Sequence, residues 1–301
     1  MNWRDNSDVS RGIGKIEFTW LPEIQVKLLF ESSPFQSQDI SLKLLISEIS
    51  NVPMIAKVNI DTFSFGIGNI VREQITNCEL GDGSELSYVI FHLTNFVDYK
   101  GEHVGYSSKL WAKLTLESND WRVTIEFVSK ELIGSLEDGG YAITHVGRLE
   151  RIDSSNFASQ EAEEVLVGLN YFLSFVAGRW VSPALPVGFN STGKRVWEKW
   201  LHYRTGNYRN VTSWFPKSEP TNISVAFAGF MKWWSDEDWQ ESFKLLIFWY
   251  VESNNSAVEQ GIPMTQFAFE LLAWLVLVED RKVISAKKLN EMSAAERIRL
   301  P

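Results

Sequence analysis

In the stretch RVWEKWLH, Arg195 and His202 stand seven positions apart. An arginine can steady the charge on a phosphate in transit and a histidine can move its protons, so this pair has the residue types for phosphodiester cleavage. Geometry then decides. Residues seven apart share a face on a helix, but an odd separation puts them on opposite faces of a strand. The segment is rich in Trp and Tyr and lies between Gly193 and TGN at 205–207, which predicts a strand. The match is accidental on that reading. No catalytic pair is assigned, and Arg195 with His202 is kept only as a candidate to test.

A second chemistry lies in the composition around it. Residues 179–217 hold seven basic side chains, Arg179, Lys194, Arg195, Lys199, Arg204, Arg209 and Lys217, against the single acid Glu198, a local charge of +6 in a chain of −9. Trp180, Trp197, Trp200, Tyr203, Tyr208, Trp214 and Phe215 interleave them. Cations for phosphates and rings for bases make the composition of a single-strand groove, with RNA or tRNA as the partner implied. The bland reading packs the rings inward and leaves the cations in solvent. A third cluster, THVGRLER at 144–151, sets His145, Arg148 and Arg151 where an anion could bind or an ion-paired strand could run; His145, Gly147, Leu149 and Arg151 share one face.

Several classes are set aside. The four His are too scattered for a metal site, and no cofactor or metal is expected. The lone Cys78 allows no internal disulfide and reads as a buried small residue in a strand. A net charge of −9 argues against coating nucleic acid or anionic membrane as a whole. The N-terminus has no signal-peptide pattern. The longest apolar run, Leu271–Val278, is far short of the about 20 residues of a membrane span. The expectation is a cytoplasmic protein without membrane contact.

The elements that would position these residues change character midway. The first half reads as short alternating strands, as in WRVTIEFV, where Trp121, Val123, Ile125 and Phe127 share one face. From SQEAEEVLVGLNYFLSFVAG the period becomes helical, with Val165, Leu169, Phe172, Leu173 and Val176 on one stripe, Ser159 as N-cap and Gly178 just past the end. A second stripe runs through Trp239, Phe243, Leu246, Ile247 and Tyr250, and MTQFAFELLAWLVLVED, apolar nearly all round, predicts a buried central helix. Ser293 and Glu296 form a capping-box pattern. The net charge shifts from −8 over residues 1–154 to −1 over the remainder. The fold class expected is α+β. An antiparallel β-sandwich-like domain (1–152) leads to a linking helix and irregular or β segment (153–220), then to a mainly helical region (221–301).

The order of YAITHVGRLER (141–151), LNYFLSFVAGRWVSPALPVGFNSTGKRVWEKW (169–200), AFAGFMKWW (226–234), IFWYVESNN (247–255) and TQFAFELLAWLVLV (265–278) resembles the bacterial ApeA-like, HEPN-associated abortive-infection family over roughly residues 85–301. The resemblance implies that the last segments open a HEPN-type helical bundle. The R-x(4–6)-H element of its ribonuclease members falls on a later helix. The chain finishes before that helix, so no position here receives the catalytic pair, and residues 293–300 read as the first turns of a helix cut short. The function expected is a non-catalytic sensing or scaffold portion of an anti-phage protein, self-associating through an exposed helical face. The alternative is a nucleic-acid-binding module using 179–217.

Overall fold

The computed structural model describes, with side chains, residues 79–97, 99, 113–129, 132, 136, 139–200, 203–209, 214–215, 219, 221–297 and 299. It describes the backbone alone of the strands between residues 2 and 78 and of 102–103, 112, 201 and 298. The strands are β1 (Asn2–Arg4), β2 (Val9–Arg11), β3 (Gly14–Thr19), β4 (Gln25–Phe30), β5 (Asp39–Leu44), β6 (Met54–Phe65), β7 (Val71–Gly81), β8 (Tyr88–Thr94), β9 (Glu102–His103), β10 (Ala112–Ser118), β11 (Trp121–Phe127), β12 (Ile143–Arg151), β13 (Pro183–Phe189) and β14 (Arg195–Leu201). Helices α1 (Ser159–Ala177), α2 (Thr221–Trp234), α3 (Glu237–Asn255) and α4 (Val258–Trp274) follow, α4 running into a π-helical turn, Leu275–Asp280. Two short helices, α5 (Ala286–Asn290) and α6 (Ala294–Arg299), complete the described elements. An antiparallel sheet followed by helices is the α+β class expected.

The strands join in one hydrogen-bonded network, ordered β2-β1-β5-β6-β7-β14-β13-β8-β12-β11-β10-β9, with the β3–β4 hairpin attached to β7 through β4. The hairpin β13–β14 comes after α1 in the chain yet lies between β8 and β7 in the sheet. It stitches the two runs of earlier strands together. RVWEKWL is thus a strand, as its composition predicts, and Cys78 lies on β7 between β6 and β14.

Period-2 patterning sets which side is core. On β11, Trp121, Val123, Ile125 and Phe127 are buried, and on β12 His145, Gly147 and Leu149 are buried while Arg148 is exposed. Helix α1 lays its predicted stripe on this surface, with Val165, Leu169, Phe172, Leu173 and Val176 all buried. Its cap is one residue earlier than expected. Ala158 takes the extended N-cap conformation, and Glu161 reaches back to accept the Ala158 N–H at 2.8 Å. Ser159 becomes the first helical residue, its hydroxyl turned to Glu79 Oε1 at 3.3 Å. Gly178 ends the helix in the left-handed conformation (φ 65°), which costs a residue without Cβ little.

One core joins sheet and helices: Phe91, Phe172, Phe227, Trp234, Ile247 and Val251 belong to the same buried cluster. Ser224 Oγ of α2 also donates to Thr115 O of β10 at 2.8 Å. The expectation for the last long helix fails. Only Gly261 and Ala273 of α4, with Leu275 and Leu277 of the π turn, are buried, while Val258, Ile262, Phe267, Phe269 and Leu272 are exposed. All-round apolarity signals burial only when other elements surround the helix, and here α3 covers one side. The helix also runs farther than the uninterrupted apolar stretch suggested. Val258–Asp280 is 23 residues, long and apolar enough to cross a bilayer by length and composition, with 22% of its most apolar window buried. Ala273, Leu277 and Leu289 make a small second cluster, and Arg297 of α6 holds Glu270 of α4 at 2.9 Å. The Ser293–Glu296 capping box forms, with Glu296 Oε2 accepting the Ser293 N–H at 2.8 Å.

Candidate ligand cleft

Two of the sequence-picked cations meet in a cleft of about 290 Å³ between α1 and the β13–β14 hairpin. Glu163, Leu166, Val167 and Asn170 fall at helical spacing on one side of α1 and line one wall. Ser182, Pro183 and Pro186 line the next. Lys199 on β14, with Tyr203 and Arg204 beyond the strand, closes the cleft.

The polar groups are locked by neighbours. Lys199 is almost wholly buried and its ammonium is ion-paired with the Glu163 carboxylate. Tyr203 OH donates to the Lys199 carbonyl at 3.0 Å. Asn170 Nδ2 donates to Val181 O at 2.8 Å and to Ser182 Oγ at 2.7 Å, and Ser182 Oγ donates onward to Arg204 O at 2.7 Å. Arg204 lies over the Trp180 ring at 3.9 Å and donates to Glu252 Oε1 of α3 at 2.7 Å. The Trp180 indole N–H donates to the same oxygen, also at 2.7 Å. A lysine ammonium has three N–H groups and a guanidinium five, and each of these ion pairs takes up part of that capacity. Two cations, each paired with a carboxylate, stand with an amide and hydroxyls against Leu166, Val167 and prolines, a polar wall facing an apolar one that suits a small ligand with an anionic end and a short apolar body.

The other sequence-picked residues are dispersed. Arg179 is buried, donating to Asn95 O at 2.5 Å and to Arg209 O at 2.9 Å; desolvation lowers its pKa to about 10, which leaves it charged at neutral pH. It is a strut between loops rather than a phosphate contact. Lys194 is exposed at the β13–β14 turn, and Arg209 is exposed as well. Trp214 is part-exposed and stacks on Phe175 at 5.3 Å. Trp180, Trp197 and Tyr203 are buried, so these rings pack inward. Arg195 Nε sits 2.9 Å from Glu198 Oε1, and burial pushes the Glu198 carboxyl up against the pull of Arg195. His202 and Lys217 lie outside the described residues, so the Arg195–His202 pair is not placed.

The anion site read from His145, Arg148 and Arg151 does not assemble. His145 is fully buried, its ring 5.5 Å from Tyr99 and edge-on to Phe96 and Phe127, and desolvation lowers its pKa to about 3. A neutral imidazole sealed inside an aromatic cage cannot meet a solvent anion. Arg148 pairs with Glu150 at 2.7 Å over the Tyr88 ring, and Arg151 pairs with Glu161 over Trp121. Among the described residues no group of three or more His, Cys, Asp and Glu is placed to hold a metal ion.

The residues that sequence reasoning missed are Glu163, Asn170, Ser182 and Glu252. Each belongs to no motif. The one available signal was Lys199 itself, a cation on the core-facing side of a strand, which requires a buried partner.

The cleft lies wholly within residues 81–211, which match the family described as YopA central domain. Residues 236–301 match the YopA C-terminal domain, beginning at Asp236, the residue that caps α3. The chain is 30% identical over 240 residues to the SPbeta prophage-derived uncharacterized protein YopA of Bacillus subtilis (strain 168). That alignment takes in 77% of this chain and 54% of the relative, so the chain spans about half the length of the curated relative it matches. No solved structure matches.

Proposed function

We propose that this chain is the sensing and scaffold portion of an ApeA-like anti-phage protein, without nuclease chemistry of its own, and that the Lys199–Arg204 cleft takes its ligand. The observation that carries the reading is the buried Lys199 ammonium beside Arg204 at an apolar-walled cleft. The ligand class is a small molecule with one anionic group and a short apolar body. Arg204 also holds α3 through Glu252, so a ligand drawing on the guanidinium changes the tie between hairpin and helices. The defence context is supported by the resemblance carried by residues 141–151 and 169–200, and by the prophage origin of the B. subtilis relative.

The test is a thermal-shift and calorimetry panel of amino acids, short carboxylic acids and nucleoside monophosphates. The reading expects at least one to stabilise the protein, with the gain lost in Val167→Asp, a change on a side chain that is already 48% exposed. Silence across the panel would overturn it. So would salt-sensitive binding of single-stranded RNA that is lost in Arg204→Ala with Arg209→Ala, which would put the basic-aromatic stretch in its place.

A further inference from the structure

We infer that the exposed apolar stripe of α4 docks on an anionic lipid surface, its apolar side chains entering the interfacial layer and the basic segment after it resting on the headgroups. The inference is independent of the ligand cleft. Val258, Ile262, Phe269 and Leu272 follow one another at steps of four, seven and three, a single helical stripe, and all four are exposed. Phe269 and Leu272 of the stripe also line an apolar groove of about 280 Å³ that opens between α3 and α4, with Phe243 and Leu246 of α3 among its other walls. Exposed apolar side chains on one helical stripe, opening into an apolar groove, mark an interaction site.

Charge names the occupant. Residues 281–299 carry six basic side chains and two acidic ones, a local +4 in a chain of −9. Arg281, Lys282, Lys287 and Lys288 are exposed, and Val283 between them is 64% exposed. An apolar helix followed by a cationic segment matches the layered chemistry of a membrane with anionic headgroups. Glu279 and Asp280 stand at the junction; Glu279 accepts the Trp274 indole N–H at 3.0 Å. The helix lies in the interface rather than spanning it. Glu270, at mid-helix, is held by Arg297, and Gly261, Ala273, Leu275 and Leu277 are buried against the protein, so one side stays committed to the fold.

The experiment is flotation of the whole chain with vesicles of phosphatidylcholine alone and of an equimolar phosphatidylcholine–phosphatidylserine mixture. The protein should float with the mixed vesicles and be largely released by high salt. Lys287→Glu with Lys288→Glu should weaken that partitioning by about tenfold or more. Val258→Asn with Ile262→Asn should abolish it, while far-ultraviolet circular dichroism and melting temperature stay unchanged because these side chains are already in solvent. No flotation, or equal flotation on both vesicle types, overturns the inference. A concentration-dependent dimer that Val258→Asn with Ile262→Asn dissolves, without flotation, also overturns it and assigns the face to a second copy of the chain.

Discussion

The indole N–H of Trp197 donates to Glu79 Oε1 at 2.7 Å, and the same carboxylate oxygen accepts the Ser159 hydroxyl at 3.3 Å. Three segments far apart in the chain, the end of β7, the start of α1 and the middle of β14, are thereby tied at one oxygen. Trp197 is 1% exposed, so its ring lies in the core where β13–β14 enters the sheet, while the carboxylate it meets is part-buried at the margin.

Trp197→Phe keeps an aromatic ring but removes the donor, leaving Glu79 a bond short. A loss of about 1–3 kcal/mol is expected, since a hydrogen bond to a charged acceptor goes and some volume is lost with it. Glu79→Gln, which keeps an acceptor oxygen, should cost less. Urea unfolding of the two variants against the parent checks the order.

Lys199 and Glu163 make the second long-range tie. Lys199→Met removes the cation and leaves a carboxylate that is only part-exposed, at 28%. Breaking a mostly buried pair from one side costs on the order of 1–3 kcal/mol here, below the fully buried case because water reaches Glu163. Replacing both, Lys199→Met with Glu163→Leu, should recover more than half of that loss. A loss in the double variant equal to the sum of the separate Lys199→Met and Glu163→Leu losses would show that the pair does not couple.

What could be read in advance follows from what local spacing encodes. The buried faces of β11 and β12 and the stripe of α1 were legible because alternation and the 3.6 period are properties of neighbouring residues. The cap of α1 was misplaced by one residue because Ser159 has the right type, while its hydroxyl is drawn to Glu79, eighty positions away. The basic-aromatic stretch was legible as a composition, but composition does not say which way a ring faces. Arg204 lies over Trp180, so a cation and a ring of that stretch meet each other within the protein. The partners Glu163 and Glu252 depend on how α1 and α3 pack against β14 and the segment after it, which no local pattern contains. The exposure of α4 escaped for the same reason: apolarity states what a helix would bury, not whether anything covers it.

His145 gives the fold a dependence on acid. Its folded pKa is pushed down to about 3 from an ordinary value of 6.5. Between those values the unfolded chain binds a proton that the folded chain refuses. Stability from this residue is therefore complete above the ordinary pKa and falls as pH drops, on the order of 1.4 kcal/mol per pH unit. His145→Phe removes the proton site while keeping a ring for Phe96 and Tyr99 to pack on. The variant should lose less stability than the parent between about pH 6.5 and pH 4, measured by urea midpoints. Parallel slopes would mean that other groups account for the acid sensitivity.

Gly147 is the position where the core leaves no room. It pairs with Phe91 on β8 and with Ile125 on β11, and a Cβ placed on it would stand 2.1 Å from Phe91 Cζ. The Phe91 ring is fully buried and lies across the glycine, so it cannot swing into solvent to make way. Gly147→Ala should destabilise by about 1–3 kcal/mol as the ring leaves its rotamer or the strands part. Phe91→Leu shortens the side chain and makes the space the new methyl needs, at its own cost in lost packing. In the double variant the two losses should sum to less than their separate values, the sign of a shared steric cause. Simple additivity in equilibrium unfolding would show that Gly147 is required for its backbone rather than for the ring laid over it.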